Sequence, residues 1–92
     1  MTAKPVKIEF TPTFNRRLKK LNPQIKNKLI NLMVLFSENP FHSHLKTHKL
    51  SGQLKNRFAF SVASNLRIVF KFIDNNQTAL FISIGSHDQV YR

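Results

Sequence analysis

The most informative stretch for the fold is residues 58–85, FAFSVASNLRIVFKFIDNNQTALFISIG. Apolar side chains recur at every second position through most of it. Alternation with a period of two is typical of β-strands that bury one face. Polar breaks at residues 64–65 and 74–77 divide the stretch, so it predicts three strands in an antiparallel meander. The residues expected on the buried face are Phe58, Phe60, Val62, Leu66, Ile68, Phe70, Phe72, Leu80, Ile82 and Ile84.

The residues before the meander predict what covers this face. Thr11-Pro12 and Asn22-Pro23 each combine a helix N-cap with proline at the first helical position, where the missing N–H costs no hydrogen bond. The helices are expected to run from Pro12 to about Lys20 and from Pro23 to about Asn39, after a first strand at residues 6–10. The predicted class is therefore α+β: an N-terminal strand, a helical hairpin and a three-stranded antiparallel meander packed on the helices, within a single domain spanning residues 1–92.

The same alternation predicts what lies on the opposite, helix-free face of the sheet. Arg67 and Lys71 are expected to point away from the helices, with Ser61, Phe81 and His87 on the same side. Cations that contact phosphates and aromatic rings that stack on bases are typical of proteins that bind single-stranded RNA. This face is therefore a candidate RNA-binding groove.

Composition and charge narrow the possible partners. The 92 residues include 15 Lys and Arg but only 4 Asp and Glu, which gives a net charge of +11. Such an excess attracts anions, so nucleic acid is the first candidate partner, an acidic protein the second and an anionic membrane the third. The lack of cysteine excludes thiol catalysis and cysteine zinc sites, and four carboxylates leave little to hold magnesium. Without a membrane-length apolar run or a signal peptide, we expect a cytoplasmic protein with no membrane partner.

Histidines supply the candidate chemistry in the middle of the chain. His42, His44 and His48 form an H-x-H-x3-H run, but without cysteine or a nearby carboxylate, exposed loop histidines are a simpler interpretation than a metal site. His48 differs from the other two because Lys46 and Lys49 flank it. Adjacent cations favour the neutral imidazole that a general base requires.

Two further features combine groups that can act on a phosphate. His87 is followed by Asp88, Tyr91 and Arg92, which together offer proton transfer and charge stabilisation, or simply a solvated end of the chain. Arg67 is a lone charge inside an apolar strand. Its planar guanidinium suits bidentate phosphate binding, although arginines are also common on solvated sheet faces.

Three motifs at consistent spacing, together with the order of the elements, resemble the RelE/ParE superfamily of toxins from type II toxin–antitoxin systems. They are LKTHKLSG at 45–52, LRIVF at 66–70 and IGSHDQVYR at 84–92. The similarity spans essentially the whole chain and is closest to RelE/YafQ-type mRNA interferases, which cut mRNA in the ribosomal A site without a metal. The resemblance implies a small RelE-like (microbial ribonuclease-like) fold, no cofactor, a cognate acidic antitoxin, and mRNA and the ribosome as further partners.

The resemblance also implies roles for individual residues. The implied catalytic residues are His48, before the L-x-G turn, the strand arginine Arg67, the C-terminal histidine His87 and the closing aromatic Tyr91. The implied RNA-binding residues are Lys46, Lys49, Lys55, Arg57, Lys71 and Arg92. The chain departs from the YafQ-type pattern at Ser61 and Asn65, which stand where that pattern has a histidine and an aspartate.

The resulting hypothesis is a metal-independent endoribonuclease that forms a 2′,3′-cyclic phosphate or 3′-phosphate end. His48 would be the base and His87 the acid, and Arg67 with Lys49 or Arg92 would hold the non-bridging oxygens. Two alternatives stay open. A ParE-like gyrase inhibitor would share the fold and need no histidine pair, and a non-catalytic RNA- or ribosome-binding module would keep the basic surface without the chemistry.

Overall fold

The computed structural model describes residues 5–50, 56–86 and 90. Its elements in chain order are β1 (Lys7–Phe10), α1 (Pro12–Lys19), α2 (Pro23–Glu38), a short 3₁₀-helix (Ser43–Leu45), β2 (His48–Lys49), β3 (Phe58–Ala63), β4 (Leu66–Ile73) and β5 (Thr78–Gly85). The predicted α+β class and order of elements are confirmed. Across the described ranges, neither helix has the length and apolar character needed to span a membrane.

The strands form one mixed sheet in the order β1-β5-β4-β3-β2. The meander of β3, β4 and β5 is antiparallel, as predicted, and β1 adds to it in parallel along β5. The two-residue strand β2 pairs antiparallel with the start of β3, where His48 lies opposite Ala59 and Lys49 opposite Phe58. Because β2 covers only the first two residues of β3, the second half of β3 forms the rim of the sheet.

Both predicted helix N-caps are present. The Thr11 hydroxyl accepts a hydrogen bond of 3.1 Å from the Phe14 N–H, and the Asn22 side chain accepts one of 2.9 Å from the Ile25 N–H. The Thr11 hydroxyl also donates to the carbonyl of Ile82 at 2.7 Å. The cap therefore starts α1 and at the same time attaches it to β5, just beyond the end of β1.

The core between the helices and the sheet is built from aromatic rings. Five phenylalanines are fully buried: Phe14, Phe36, Phe60, Phe70 and Phe81. The ring centroid of Phe36 on α2 lies 5.1 Å from that of Phe60, 4.8 Å from that of Phe70 and 5.1 Å from that of Phe81. Offset and edge-to-face pairs of this kind each contribute about 0.5–1.5 kcal/mol beyond the burial of their area. One helical side chain thus joins α2 to the three central strands.

The prediction that Phe81 lies on the outer, helix-free face is wrong, because β5 contains a β-bulge. Val69 of β4 faces Ser83, but the next residue, Phe70, faces Phe81, so Ile82 is an extra residue in β5. An extra residue in a strand moves the side chains on one side of the bulge to the opposite faces of the sheet. The core-facing residues of β5 are Ala79, Phe81 and Ile84 rather than Leu80, Ile82 and Ile84.

The outer face of the sheet has a small apolar cluster of its own. Ala59 and Val69 are buried there, and Leu50 and Val90 pack over them. Part of this face is therefore apolar.

Candidate active site

A cleft of about 720 Å³ opens beside the second half of β3, and we call it the histidine cleft. Its polar lining comes from α2, the segment before β2, β2 itself, β3, the turn after β3, and β4, through Lys28, His44, Lys46, His48, Ser61, Ser64 and Arg67. The sequence predicted four of these residues: Lys46, His48 and Arg67 as site residues, and Ser61 as part of the candidate RNA-binding face. Among the described residues, no carboxylate lines the cleft, so its charge suits an anionic ligand.

Arg67 is held in place by its neighbour on β3. It lies directly opposite Ser61 in the antiparallel pair, and its guanidinium donates a hydrogen bond to the Ser61 hydroxyl. A guanidinium has five N–H donors in one plane, so a bond that uses one of them restricts the orientation of the plane. The pairing with Ser61 therefore holds the guanidinium next to β3, on the outer face of the sheet.

The orientation of His48 is set by the backbone of Lys46. The Nδ1 atom of His48 lies 3.3 Å from the Lys46 carbonyl oxygen. Because a carbonyl can only accept a hydrogen bond, Nδ1 carries the proton, and in a neutral ring the lone pair is then on Nε2. Lys46 itself has a left-handed backbone with φ 53° and ψ 40°, which is uncommon for a residue with a Cβ. In this tautomer, Nε2 is the ring nitrogen that can accept a proton.

The segment that carries these side chains is anchored although most of its residues are exposed. Leu45 is fully buried in the main core. The Thr47 hydroxyl donates to the Pro40 carbonyl at 2.6 Å, and the Leu50 N–H donates to the Arg57 carbonyl at 2.9 Å. These contacts hold the segment on both sides of His48 and give it a defined position.

The other two histidines of the run have different environments. Their ring centroids are 4.8 Å apart, and the Nδ1 atom of His42 accepts a hydrogen bond of 3.1 Å from the His44 N–H. His42 therefore caps the 3₁₀-helix, whereas His44 lines the histidine cleft. Within the described ranges, no three His, Cys, Asp or Glu side chains are grouped so that they could hold a metal ion.

Two residues of the histidine cleft, His44 and Lys28, were not predicted as site residues from the sequence. His44 was interpreted as an exposed loop histidine. Nothing in the local pattern around Lys28 separates it from the other lysines of the hairpin. Only the packing of α2 beside β3 brings its ammonium group to the cleft.

Other predicted RNA-binding residues are not brought together with Arg67. Lys49 lies opposite Phe58, on the helix side of the sheet, and so is on the other face of β2 from His48. Lys71 is on the outer face but four residues along β4, about 13 Å from Arg67 at 3.3 Å per residue. The buried Val69 lies between these two cations. Arg57 lies at the start of β3, away from the cleft.

Several predicted residues fall outside the described ranges, namely Lys55, His87, Tyr91 and Arg92. Val90 is described, is buried, and packs with Ala59 and Val69. Its N–H donates a hydrogen bond of 3.1 Å to the Ser86 carbonyl. Val90 therefore lies over the outer face, against the strand that carries Arg67.

Two helices against a five-stranded mixed sheet form the fold of the RelE-like toxins. YafQ from E. coli strain BL21(DE3) has this fold with a TM-score of 0.76, at 24% identity, over 95% of this chain and 99% of that chain. The RelBE2 toxin–antitoxin complex of Mycobacterium tuberculosis contains a chain with a TM-score of 0.76, at 21% identity, over 90% of this chain and 99% of that chain.

Sequence comparison identifies the family within this class. The family described as bacterial toxin of type II toxin-antitoxin system, YafQ, matches residues 6–92, and the chain belongs to this family. The provisionally named toxin RelE4 of Methanocaldococcus jannaschii is 27% identical over 88 residues, which cover 92% of this chain and 89% of RelE4. The family that the three sequence motifs indicated is confirmed.

Proposed function

We propose that this chain is an mRNA interferase, a toxin that cleaves mRNA at the ribosome without a metal and so stops translation. The observation that carries the proposal is the histidine cleft. Two of the residues that line it support the proposal: His48, whose Nδ1 atom lies 3.3 Å from the Lys46 carbonyl oxygen, and Arg67, which donates a hydrogen bond to the Ser61 hydroxyl. The net charge of +11 supports RNA as the ligand.

In the proposed reaction, the 2′-hydroxyl of a nucleotide attacks the adjacent phosphate. Nε2 of His48 removes the hydroxyl proton, the bond to the 5′-oxygen breaks, and His87 protonates that oxygen. The products are a 2′,3′-cyclic phosphate, which water can open to a 3′-phosphate, and a 5′-hydroxyl. General acid–base catalysis contributes about 10²–10⁴-fold, and each positioned donor to the developing charge contributes about 10²–10³-fold.

Arg67 holds the non-bridging phosphate oxygens in this reaction. Lys46 and Lys28 take the supporting place that the sequence assigned to Lys49, because both line the histidine cleft. Ser61 stands where the YafQ-type pattern has a histidine, and its hydroxyl accepts the hydrogen bond from Arg67. Its role is therefore to position the arginine rather than to move a proton. Tyr91 stacks on or orients the nucleotide.

A cognate antitoxin is the proposed protein partner. The RelBE2 complex contains a toxin together with its antitoxin, and by analogy this chain pairs with an acidic, partly disordered protein. A basic surface on the helical hairpin would speed this association by electrostatic steering. The Lys and Arg side chains available there are Arg16, Lys19, Lys20 and Lys28, all of them exposed.

The test uses the same substitution at two histidines of one segment. His48→Asn keeps an amide that can donate to the Lys46 carbonyl and removes Nε2. His42→Asn keeps an acceptor for the His44 N–H and lies outside the cleft. Each variant is expressed beside the wild type, and mRNA 5′ ends are mapped. We expect clustered cuts within codons for the wild type and His42→Asn, and their loss in His48→Asn and in His87→Gln.

Other results would identify a different function. Wild-type cleavage that persists in His48→Asn would remove His48 from the mechanism. Intact mRNA together with a DNA-damage response would indicate a gyrase inhibitor, and salt-dependent RNA binding without cleaved ends would indicate a binding module.

A further inference from the structure

A second cleft, of about 740 Å³, lies on the helix side of β2, and we call it the aromatic cleft. Three phenylalanines, one lysine and two asparagines line it, namely Phe41, Phe58, Phe72, Lys49, Asn56 and Asn76. The proposed cleavage reaction uses none of these residues. Val6 and Pro40 complete its lining, and its rings, cation and amides are groups that can bind a planar, anionic ligand.

The rings of the aromatic cleft form a rigid platform. Phe41 lies with its ring centroid 5.7 Å from that of Phe58 and 6.1 Å from that of Phe72, while Phe58 and Phe72 are 5.5 Å apart. The Phe41 N–H also donates to the Asn39 side chain at 3.1 Å. Phe41 nevertheless leaves 54% of its surface exposed. An aromatic ring that is held in place and open to solvent is suited to stack on a planar ligand.

The polar residues of the aromatic cleft suit a nucleotide. Asn56 and Asn76 have left-handed backbones with φ 69° and φ 67°, a conformation that asparagine tolerates better than most residues. Their side-chain amides can both donate and accept hydrogen bonds, as base edges require, and Lys49 can contact a phosphate. In the described part of the chain, no carboxylate lines this cleft.

The two clefts are adjacent through β2. His48 and Lys49 are consecutive residues of this strand and so point to opposite sides of it. His48 lines the histidine cleft and Lys49 lines the aromatic cleft. An RNA strand whose reacting phosphate lies at His48 would cross the two-residue strand to place another nucleotide on the aromatic platform.

We propose that the aromatic cleft is a nucleotide-binding subsite, in which Phe41 stacks on a base of single-stranded RNA next to the cleaved phosphate. The inference rests on the proposed RNA cleavage and adds a substrate contact to it. Stacking on one aromatic side chain is worth roughly 5- to 150-fold in affinity for each base. The subsite would contribute binding without taking part in the chemical step.

The binding test uses short single-stranded RNAs that carry 2-aminopurine at successive positions, in a His48→Asn background that does not cleave them. Stacking quenches the fluorescence of this base. We expect Phe41→Leu to weaken binding about tenfold and to abolish the quenching at one position. Phe10→Leu is the matched control, because Phe10 is 41% exposed and lies on β1, at the opposite edge of the sheet.

Lys49→Ala provides a second variant with an exposed side chain, should Phe41→Leu lower the yield of folded protein. We expect it to reduce the log–log salt slope of RNA binding by about 0.7, the value for one phosphate contact with single-stranded nucleic acid. With His48 restored, Phe41→Leu should raise KM and leave kcat within about twofold, because a stacking contact made equally in the ground and transition states changes KM alone.

Three outcomes would overturn the inference. Unchanged affinity and quenching in Phe41→Leu, with cleavage intact in the wild type, would refute the subsite while leaving the proposed function standing. If Phe41→Leu leaves RNA binding unchanged but the co-expressed cognate antitoxin no longer neutralises the variant, the aromatic cleft is a protein-docking site. A wild-type protein that neither binds nor cleaves RNA would refute the subsite and the proposed function together.

Discussion

Substitution of Lys46 separates two properties of this residue, its ammonium group in the histidine cleft and its left-handed backbone. Lys46→Ala removes the side chain beyond the Cβ, including the ammonium group, whereas Lys46→Gly also removes the Cβ. A left-handed conformation costs a residue with a Cβ about 1–2 kcal/mol. Glycine loses about 0.5–1 kcal/mol more conformational entropy on folding. The difference between these two costs predicts that the Lys46→Gly variant is more stable than the Lys46→Ala variant. Its free energy of unfolding, measured by urea denaturation, should be higher by about 0–1.5 kcal/mol.

The two Lys46 variants should nevertheless behave alike towards RNA. Both retain the carbonyl that accepts from Nδ1 of His48, and both lose one cation from the cleft. We expect the log–log salt slope for binding single-stranded RNA to fall by about 0.7 in each, measured by fluorescence anisotropy over a series of salt concentrations. Lys7→Ala is the control, since Lys7 is exposed on β1, at the far edge of the sheet.

The stability and the RNA affinity of the two Lys46 variants are independent measurements. A Lys46→Gly variant that is less stable than Lys46→Ala would show that the residue gains nothing from losing its Cβ, against the left-handed backbone. A salt slope that stays at the wild-type value in both variants would show that the Lys46 ammonium group does not contact a phosphate.

Substitutions at three further positions test the site and the fold. Ser61→Ala should reduce RNA cleavage by about 10- to 150-fold, because a hydrogen bond to a charged group is worth about 1.5–3 kcal/mol. Ser61→Thr should restore cleavage in single-turnover assays, and equal loss in both variants would exclude a role for the hydroxyl. Phe36→Ala should lower the free energy of unfolding, measured in urea, by about 3–5 kcal/mol, which is a large share of the total stability of a typical domain. A loss below about 1 kcal/mol would contradict the packing of Phe36 at the centre of the aromatic core. Thr11→Ala should lower the free energy of unfolding by about 1–2 kcal/mol. Thr11→Ser should keep most of the wild-type stability, because it keeps the hydroxyl that donates to the Ile82 carbonyl.

The parts of the fold that depend on near neighbours were predicted correctly. Thr11 and Asn22 cap the two helices at the expected residues, because a cap is formed by a side chain and an N–H three residues away. The alternation of β3 and β4 also places their residues on the expected faces. Arg67 and Ser61 share the outer face, as the sequence predicts.

The orientation of β5 was not predictable from its alternation. Leu80, Ile82 and Ile84 fit a regular strand as well as Ala79, Phe81 and Ile84 fit a bulged one. The bulge at Ile82 is favoured by contacts with distant residues, since Phe81 packs on the ring of Phe14 and Thr11 bonds to the Ile82 carbonyl. Two patterns that are equivalent in the sequence thus differ in how well they fill the core.

The sequence alone determined the class of fold, the toxin family and the types of group that could act on a phosphate, among them His48 and Arg67. Which cations share a cleft with these two residues depends on the tertiary structure. Lys28 joins them because α2 packs beside β3, and Lys49 is separated from them because consecutive residues of a strand point to opposite faces. Local patterns depend on a few neighbouring residues, whereas a cleft depends on how whole elements pack.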